Sequence, residues 1–417
     1  MNFPLHFDPI LYPVWRRQMP TLAKRALMPA FRRWLAADAD LTPPDDAPAM
    51  STWLYRWKLL DGTPREIAAQ LQALHPQIVT LSAAEPPPHD GTPVHLPAQW
   101  ERIDRVLLRW GVVYPWAWPM FAQMAAAILP VARVEVVVPS AWWARAVMAY
   151  AQAQGAAVEG LCFLVAPTDD IWIRDYGPLS GRTADGRPAL VDMIYRPLPA
   201  YPQAADDGFN RRYAAHHRLP LAALPLYYEG GNLWSDGQGT LITTDHALSA
   251  NRRNDHHSLS ADELLAALRR VLAVEKLIIT PRMRLEETGH VDLVVKLVDA
   301  TTVFVTAPDR LSAATLKAAE QLMRTQTNAR GQRYDVRLLP TPPLYFNWLL
   351  FPIRRGYTNA LTVNGRVLVP TYGLPSDETA LRAYTEAMPQ HTVIPIDSRI
   401  GINGGGAVHC MTREIFA

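Results

Sequence analysis

The sequence is short of cysteine, of surplus charge and of unbroken apolar runs. Its two cysteines, Cys162 and Cys410, can form at most one disulfide, too few for a disulfide framework or a zinc cluster, and this usage favours a cytosolic setting. With 41 Lys+Arg against 39 Asp+Glu the formal charge is only +2, so no global field selects nucleic acid or an anionic membrane. The most apolar window, "VVYPWAWPMFAQMAAAILPVA", is broken by Pro115, Pro119 and Pro130 and carries Gln123, which argues against a membrane span. The first twenty residues lack the sustained apolar core and small-residue cleavage site of a secretory signal. The adjacent pairs His216-His217 and His256-His257 diverge and have no second ligand group at metal spacing. The expectation is a cytoplasmic protein with no metal, no cofactor, no nucleic-acid partner and no integral membrane association. Its oligomeric state is open, a homodimer included.

What is present is an ordinary globular composition, 49% apolar and 19% charged, in a chain long enough for a large core. "AAEPPPHDGTPVHLP" is the best boundary, dividing an N-terminal helical extension (1–82), a proline-rich linker (83–96) and a main domain (97–417). Arg16, Arg17, Lys24, Arg25, Arg32 and Arg33 form a basic flank without acids, read as a solvated face with Trp15, Phe31 and Trp34 docked on the body. Beyond the linker a module recurs. Its clearest copy is "YTNALTVNGRVLVPTYGLPSDETALRAYTEAMPQHTVIPI": strand, Asn364-Gly365 hairpin turn, strand, helix capped near Ser376, strand. Openings near residues 174, 229, 289, 357 and 404 mark five such ββαβ-like units, a period typical of repeated supersecondary structure. Closed in a ring, they make a five-bladed α/β propeller whose openings converge on the axis.

Those openings concentrate reactive side chains. "DDIWIRDYGP" offers Trp172, Arg174 and Asp175; "EGGN" offers Glu229; "TGHVDL" offers His290 and Asp292; "YTN" offers Asn359; "GINGGGAVHCMT" offers Cys410. Strand spacing puts His290 and Asp292 on one face. His409 adjoins Cys410 and in a strand points away from it. A thiolate that attacks carbon, a histidine that moves protons, two carboxylates and a covering aromatic suit one planar cation, the guanidinium. Resonance makes its carbon a poor electrophile; Asp175 and Asp292 on its two edges would orient it toward Cys410. Three glycines before the cysteine let backbone pass close to such a group.

In the order "WIRDYGP", "EGGN", "TGHVD", "YTNAL", "GGGAVHC", the sequence resembles the agmatine deiminase and bacterial-type peptidylarginine deiminase family of the pentein, or guanidino-group-modifying, superfamily. The resemblance begins at "PAQWERIDRVLLRW" and runs to Cys410. It implies the five-bladed α/β propeller, Cys410 as nucleophile, His290 as general acid and then base, and Asp175 with Asp292 as guanidinium ligands. Trp172 and Asn359 would line the pocket, while Glu229 matches the motif without an assigned step. The implied reaction converts a guanidine to a ureido product and ammonia. "VDMIYRPLPAYP" and "YTNAL" resemble the peptidylarginine form, with Arg196 facing a substrate carboxylate, so a peptidyl or free arginine is expected over agmatine. An amidinotransferase and a non-catalytic binding propeller are the rivals.

Overall fold

Asn364 and Gly365 both have positive φ, 41° and 81°, as a type I′ hairpin turn requires and as Asn-Gly tolerates. In the computed structural model, which describes residues 45–111, 114–195, 203–251, 258–286, 288–347 and 352–416, this turn joins the antiparallel strands Leu361–Val363 and Arg366–Thr371. Helix Ser376–Ala387 follows, with Asp377 and Glu378 in its first turn and Pro375 as N-cap, one residue before the expected Ser376. The Asp377 carboxylate accepts from the N–H groups of Tyr372 and Leu374, tying the turn down and favouring the positive helix end. Ala380 and Tyr384 supply the buried stripe. Strand Thr392–Asp397 then returns parallel to Arg366–Thr371, as a helical crossover permits.

The same order recurs. Leu179–Arg182 pairs antiparallel with Pro188–Ile194, which pairs parallel with Leu221–Tyr227 after helix Phe209–His217. Trp234–Ser235, Thr240–Thr244 and Lys276–Thr280 repeat it around helix Ala261–Val271. Val295–Leu297, Thr302–Thr306 and Asp335–Leu339 repeat it around helix Ala313–Thr325. A fifth sheet draws on both ends of the described chain: Thr412–Phe416 pairs antiparallel with Ile103–Arg109, which is followed by parallel Arg133–Val138 and Leu161–Val165. The last strand thus supplies the first strand of a unit whose remainder lies some 300 residues earlier in the chain, as the spacing of Thr412 and Leu108 shows. The fold is mixed α/β.

Gln77–Thr80 adds to the edge of that fifth sheet, parallel to Leu161–Val165. Helix Ala47–Arg56 docks through Trp53, whose ring meets Trp143 edge-on at 5.1 Å and Trp118 at 5.8 Å; such pairs add to the burial of large rings. The proline-rich stretch lies over the neighbouring units through bridges of Pro88 to Leu221, His95 to Arg182 and Val94 to Leu272. The basic flank and Arg196 lie outside the described residues. Among the described residues no helix is long and apolar enough to cross a membrane.

Candidate active site

Four of the five unit openings are short helical turns, Ile173–Tyr176, Gly230–Asn232, Val291–Leu293 and Gly401–Gly404, and the fifth is a turn at 357–358. In and beside them lie Asp175, Glu229, His290, Asp292, Asn359 and Cys410, all buried. The strand expected for "HVD" is absent: His290 precedes the 3₁₀ turn Val291–Leu293 as its cap, at φ −75° and ψ 145°. Side chains, not a strand partner, satisfy this backbone. Glu286 accepts from the N–H groups of Gly289 and His290, and Asn232 Oδ1 accepts from Val291 N–H at 3.1 Å, a competition with ladder pairing that such side chains win in turns.

Cys410 lies in a turn ahead of strand Thr412–Phe416. Asn359 Nδ2 is 3.1 Å from its Sγ and 3.0 Å from Asp292 Oδ2, and the thiol points to Asp292 Oδ2 at 3.8 Å. Asp292 Oδ1 is buried and has no hydrogen-bond partner among the described residues. On the facing side His290 Nε2 meets Glu229 Oε2 at 2.5 Å and His290 Nδ1 lies 3.6 Å from Asp175 Oδ1. Gly231 N–H donates to Asp175 Oδ1 at 3.0 Å. The imidazole therefore stands between two carboxylates, and a second pair of groups, Asp292 and Asn359, faces the thiol.

Two glycines are required by this crowding. A Cβ on Gly231 would lie 2.6 Å from both Asp175 Oδ1 and His290 Nδ1. One on Gly406 would lie 2.5 Å from the Trp172 ring and 2.8 Å from Cys410 Cβ, distances that real Cβ atoms do not sustain. The glycine run keeps main chain against Trp172 and the nucleophile without filling the space between them. Trp172 is half-buried, and Trp116, which the sequence reading passed over, shares its place beside Gly404. Only its neighbourhood in the aromatic-rich "YPWAWP" marked it.

The site holds opposed charges. Burial disfavours the His290 cation, yet the charges of Asp175 and Glu229 outweigh it and raise its pKa well above the ordinary value. Burial would raise Glu229, but His290 brings it below the usual carboxylate range. Burial raises Asp175 to about 6, against the pull of His290, and Asp292 to about 7. Burial, then the charges of Asp292 and Asp175, push the Cys410 thiol well up. At neutral pH the site thus combines a protonated thiol with an imidazolium.

Two sequence expectations change. Arg174, from the same motif as Asp175, turns away and forks onto Glu414, at 2.9 and 2.5 Å. His409 is not carried away by strand alternation, because residues 408–411 form a turn; its Nδ1 reaches Asp292 Oδ2 at 2.8 Å.

The family match and the deiminase relatives mark the chain as a hydrolase acting on carbon–nitrogen bonds of linear amidines. The chain belongs to the Porphyromonas-type peptidyl-arginine deiminase family, whose model matches residues 95–415. It is 28% identical over 354 residues to the agmatine deiminase of Pseudomonas fluorescens strain Pf-5, covering 77% of this chain and 95% of that one. A solved candidate arginine deiminase from Porphyromonas gingivalis is 28% identical, with a TM-score of 0.67 over 78% of this chain and 98% of that one. The agmatine deiminase of Enterococcus faecalis, 22% identical, shares the fold at a TM-score of 0.68 over 81% and 99% of the two chains.

Proposed function

We propose that the protein hydrolyses the guanidinium of an arginine-type substrate, peptidyl or free, to a ureido product and ammonia, on a five-bladed α/β propeller whose unit openings meet at its axis. The single observation that carries the reading is the convergence of the Cys410 thiol, the unpartnered Asp292 Oδ1 and the carboxylate-flanked His290. Residues 1–82 are an extension to that domain and 97–417 its catalytic body.

In this reading Asp175 and Asp292 bind the guanidinium edges. The incoming cation offsets the two negative charges that hold the thiol protonated, so thiolate forms where the electrophilic carbon is bound. The thiol proton, directed at Asp292 Oδ2, passes through it to solvent as the cation binds, leaving the carboxylate ionised against the guanidinium. Cys410 Sγ adds to the carbon. His290, already an imidazolium, protonates the departing nitrogen, ammonia leaves, and a covalent thiouronium remains. Neutral His290 then takes a proton from water as the water oxygen adds; collapse expels the Cys410 thiolate, which takes up the remaining hydroxyl proton and so regenerates the thiol, and leaves the neutral ureido product. Glu229 gains a role: it fixes the imidazole plane and supports its charge, while Trp172 and Asn359 line the pocket.

Glu229→Gln tests that role. With one of the two raising charges gone, the pKa of His290 falls, so its acid form is lost at lower pH. The basic limb of the kcat profile should move to lower pH and kcat should drop about ten- to a hundredfold, part of what general acid–base catalysis supplies. An unchanged limb and rate would remove Glu229 from the reaction.

The arginine-type substrate is supported by the peptidyl-arginine family match and by a buried cation near the glycine loop. Arg355 stacks on Tyr345 and Tyr372 at 5.0 and 5.4 Å, and its Nε is unpartnered among the described residues. Tyr345 in turn donates to Asn403 Oδ1 at the glycine loop. Arg196, from the stretch expected to meet a carboxylate, is the second candidate. Agmatine is the alternative, favoured by the named activity of the Pseudomonas fluorescens relative. Ammonia and ureido product should be measured with agmatine, free arginine and a peptide ending in arginine, without an added amine. The expected result is ammonia release, several-fold faster with a carboxylate-bearing substrate, on the order of 1 kcal/mol for a partly exposed pair and declining with salt. Agmatine leading by a wide margin reverses the subclass; amidino transfer without ammonia makes the protein a transferase.

A further inference from the structure

The residue beside the nucleophile is built into the back of the site. His409 is wholly buried. Its ring lies nearly parallel on Trp234 at 4.6 Å, and the Lys296 ammonium stands over that same indole at 4.7 Å. Its N–H donates to Asn359 Oδ1 and its carbonyl accepts from Arg174 Nε, both at 3.1 Å. Pinned at ring and backbone, the side chain presents Nδ1 to Asp292 Oδ2 at 2.8 Å. Burial and the neighbouring charges of Arg174, Lys296 and Arg413 keep the imidazole neutral. Oδ2 already accepts from Asn359, so the neutral ring donates from Nδ1.

We infer that His409 is a positioning residue for guanidinium recognition: it holds Asp292 Oδ2 from behind, so that Oδ1 faces the substrate in a fixed carboxylate plane. The inference rests on the proposed deiminase reading. A carboxylate rotor has a broad, twofold torsional profile, whereas bidentate pairing with a planar cation demands one orientation. Asn359 alone divides its amide between Asp292 and Cys410. The second donor also favours the ionised carboxylate, opposing the burial that drives Asp292 up to about 7. Asp292 is faced besides by His290, Asp175, Cys410, Arg174 and Glu286, all retained when His409 is changed.

The full-length chain should be compared as wild type, His409→Leu, His409→Asn and His409→Gln, with agmatine and an arginine-terminated peptide as probes. Asn places an amide donor near the Nδ1 position; Gln places it near Nε2. Loss of the donor in the Leu variant should raise KM about tenfold and shift the acidic limb of kcat/KM up by a pH unit or more. The Asn variant should return the limb toward wild type while the Gln variant should not. In an Asp292→Asn background, His409→Leu should shift the limb no further. A folded Leu variant with an unmoved acidic limb overturns the inference. Should the Leu variant fail to fold, equal limbs in the Asn and Gln variants overturn it instead. Wild-type protein that releases no ammonia from any guanidine takes down the deiminase reading itself, whereas active wild type with an indifferent His409 sinks the positioning role alone.

Discussion

Cys410→Ser should reduce turnover on the order of 10⁴-fold or more, the scale at which loss of a covalent nucleophile is felt, with the thermal midpoint close to wild type. Serine fits the space left by the thiol and keeps an acceptor for Asn359 Nδ2, so folding has little reason to suffer. A hydroxyl, however, is far less acidic than a thiol and offers no anion at neutral pH, and His290 is already protonated by the pull of Asp175 and Glu229, leaving no neutral imidazole to activate it. Cys162→Ser is the matched control. It sits in strand Leu161–Val165, paired with Glu135 and Gln77 in register, within a sheet rather than in the turn that carries Cys410. It should retain near-wild-type kcat. Steady-state ammonia release by both variants decides the matter: a Cys410→Ser protein with appreciable turnover has no covalent thiol step.

Much of the framework was readable because local chemistry wrote it. Asn364-Gly365 dictated a hairpin through φ alone, and the first-turn acids Asp377 and Glu378 announced the helix that follows. The candidate site was readable as a set of residues but not as a geometry. His290 and Asp292 converge through a 3₁₀ turn whose backbone is satisfied by Glu286 and by Asn232, 59 residues before Val291, and no period-2 argument anticipates a distant amide. Glu229 sat in a recognisable motif, yet its task depends on a contact with His290 across 61 residues. The position of His409 was misread for the same reason: strand alternation holds only where a strand exists, and a turn presents the side chain to Asp292 instead.

Arg174 shows how one short motif serves both site and scaffold, and its removal should be costly to the fold. Asp175 faces the imidazole, while the adjacent Arg174, 1% exposed, points the opposite way. Its guanidinium forks onto both oxygens of Glu414, and its Nε meets the His409 carbonyl. It thereby ties the turn Ile173–Tyr176 to strand Thr412–Phe416, which closes the sheet begun by Ile103–Arg109. Burial disfavours the Glu414 charge, but Arg174 prevails and brings it from 4.5 down to about 2. A depressed carboxylate stabilises the fold above its unfolded pKa and ceases to do so as pH falls through the folded value, so this contribution is present at neutral pH and lost between about pH 4.5 and pH 2. Two other cations act on Glu414, Arg413 and Lys296, but Arg413 donates to the Pro178 carbonyl and Lys296 to Gln99 Oε1 and the Ala360 carbonyl, so the fork is made by Arg174. Arg174→Leu should therefore cost about 3–5 kcal/mol at neutral pH by stranding Glu414 without its partner. Arg174→Leu/Glu414→Leu should recover most of that loss, since apolar replacement of a whole buried pair is often neutral or better. Urea unfolding of the single and double variants measures both. A single variant within about 1 kcal/mol of wild type, a loss no larger than that of an exposed pair, together with a double variant no better, would mean that the fork is not a structural tie; a raised KM with unchanged stability would place Arg174 among the substrate ligands instead.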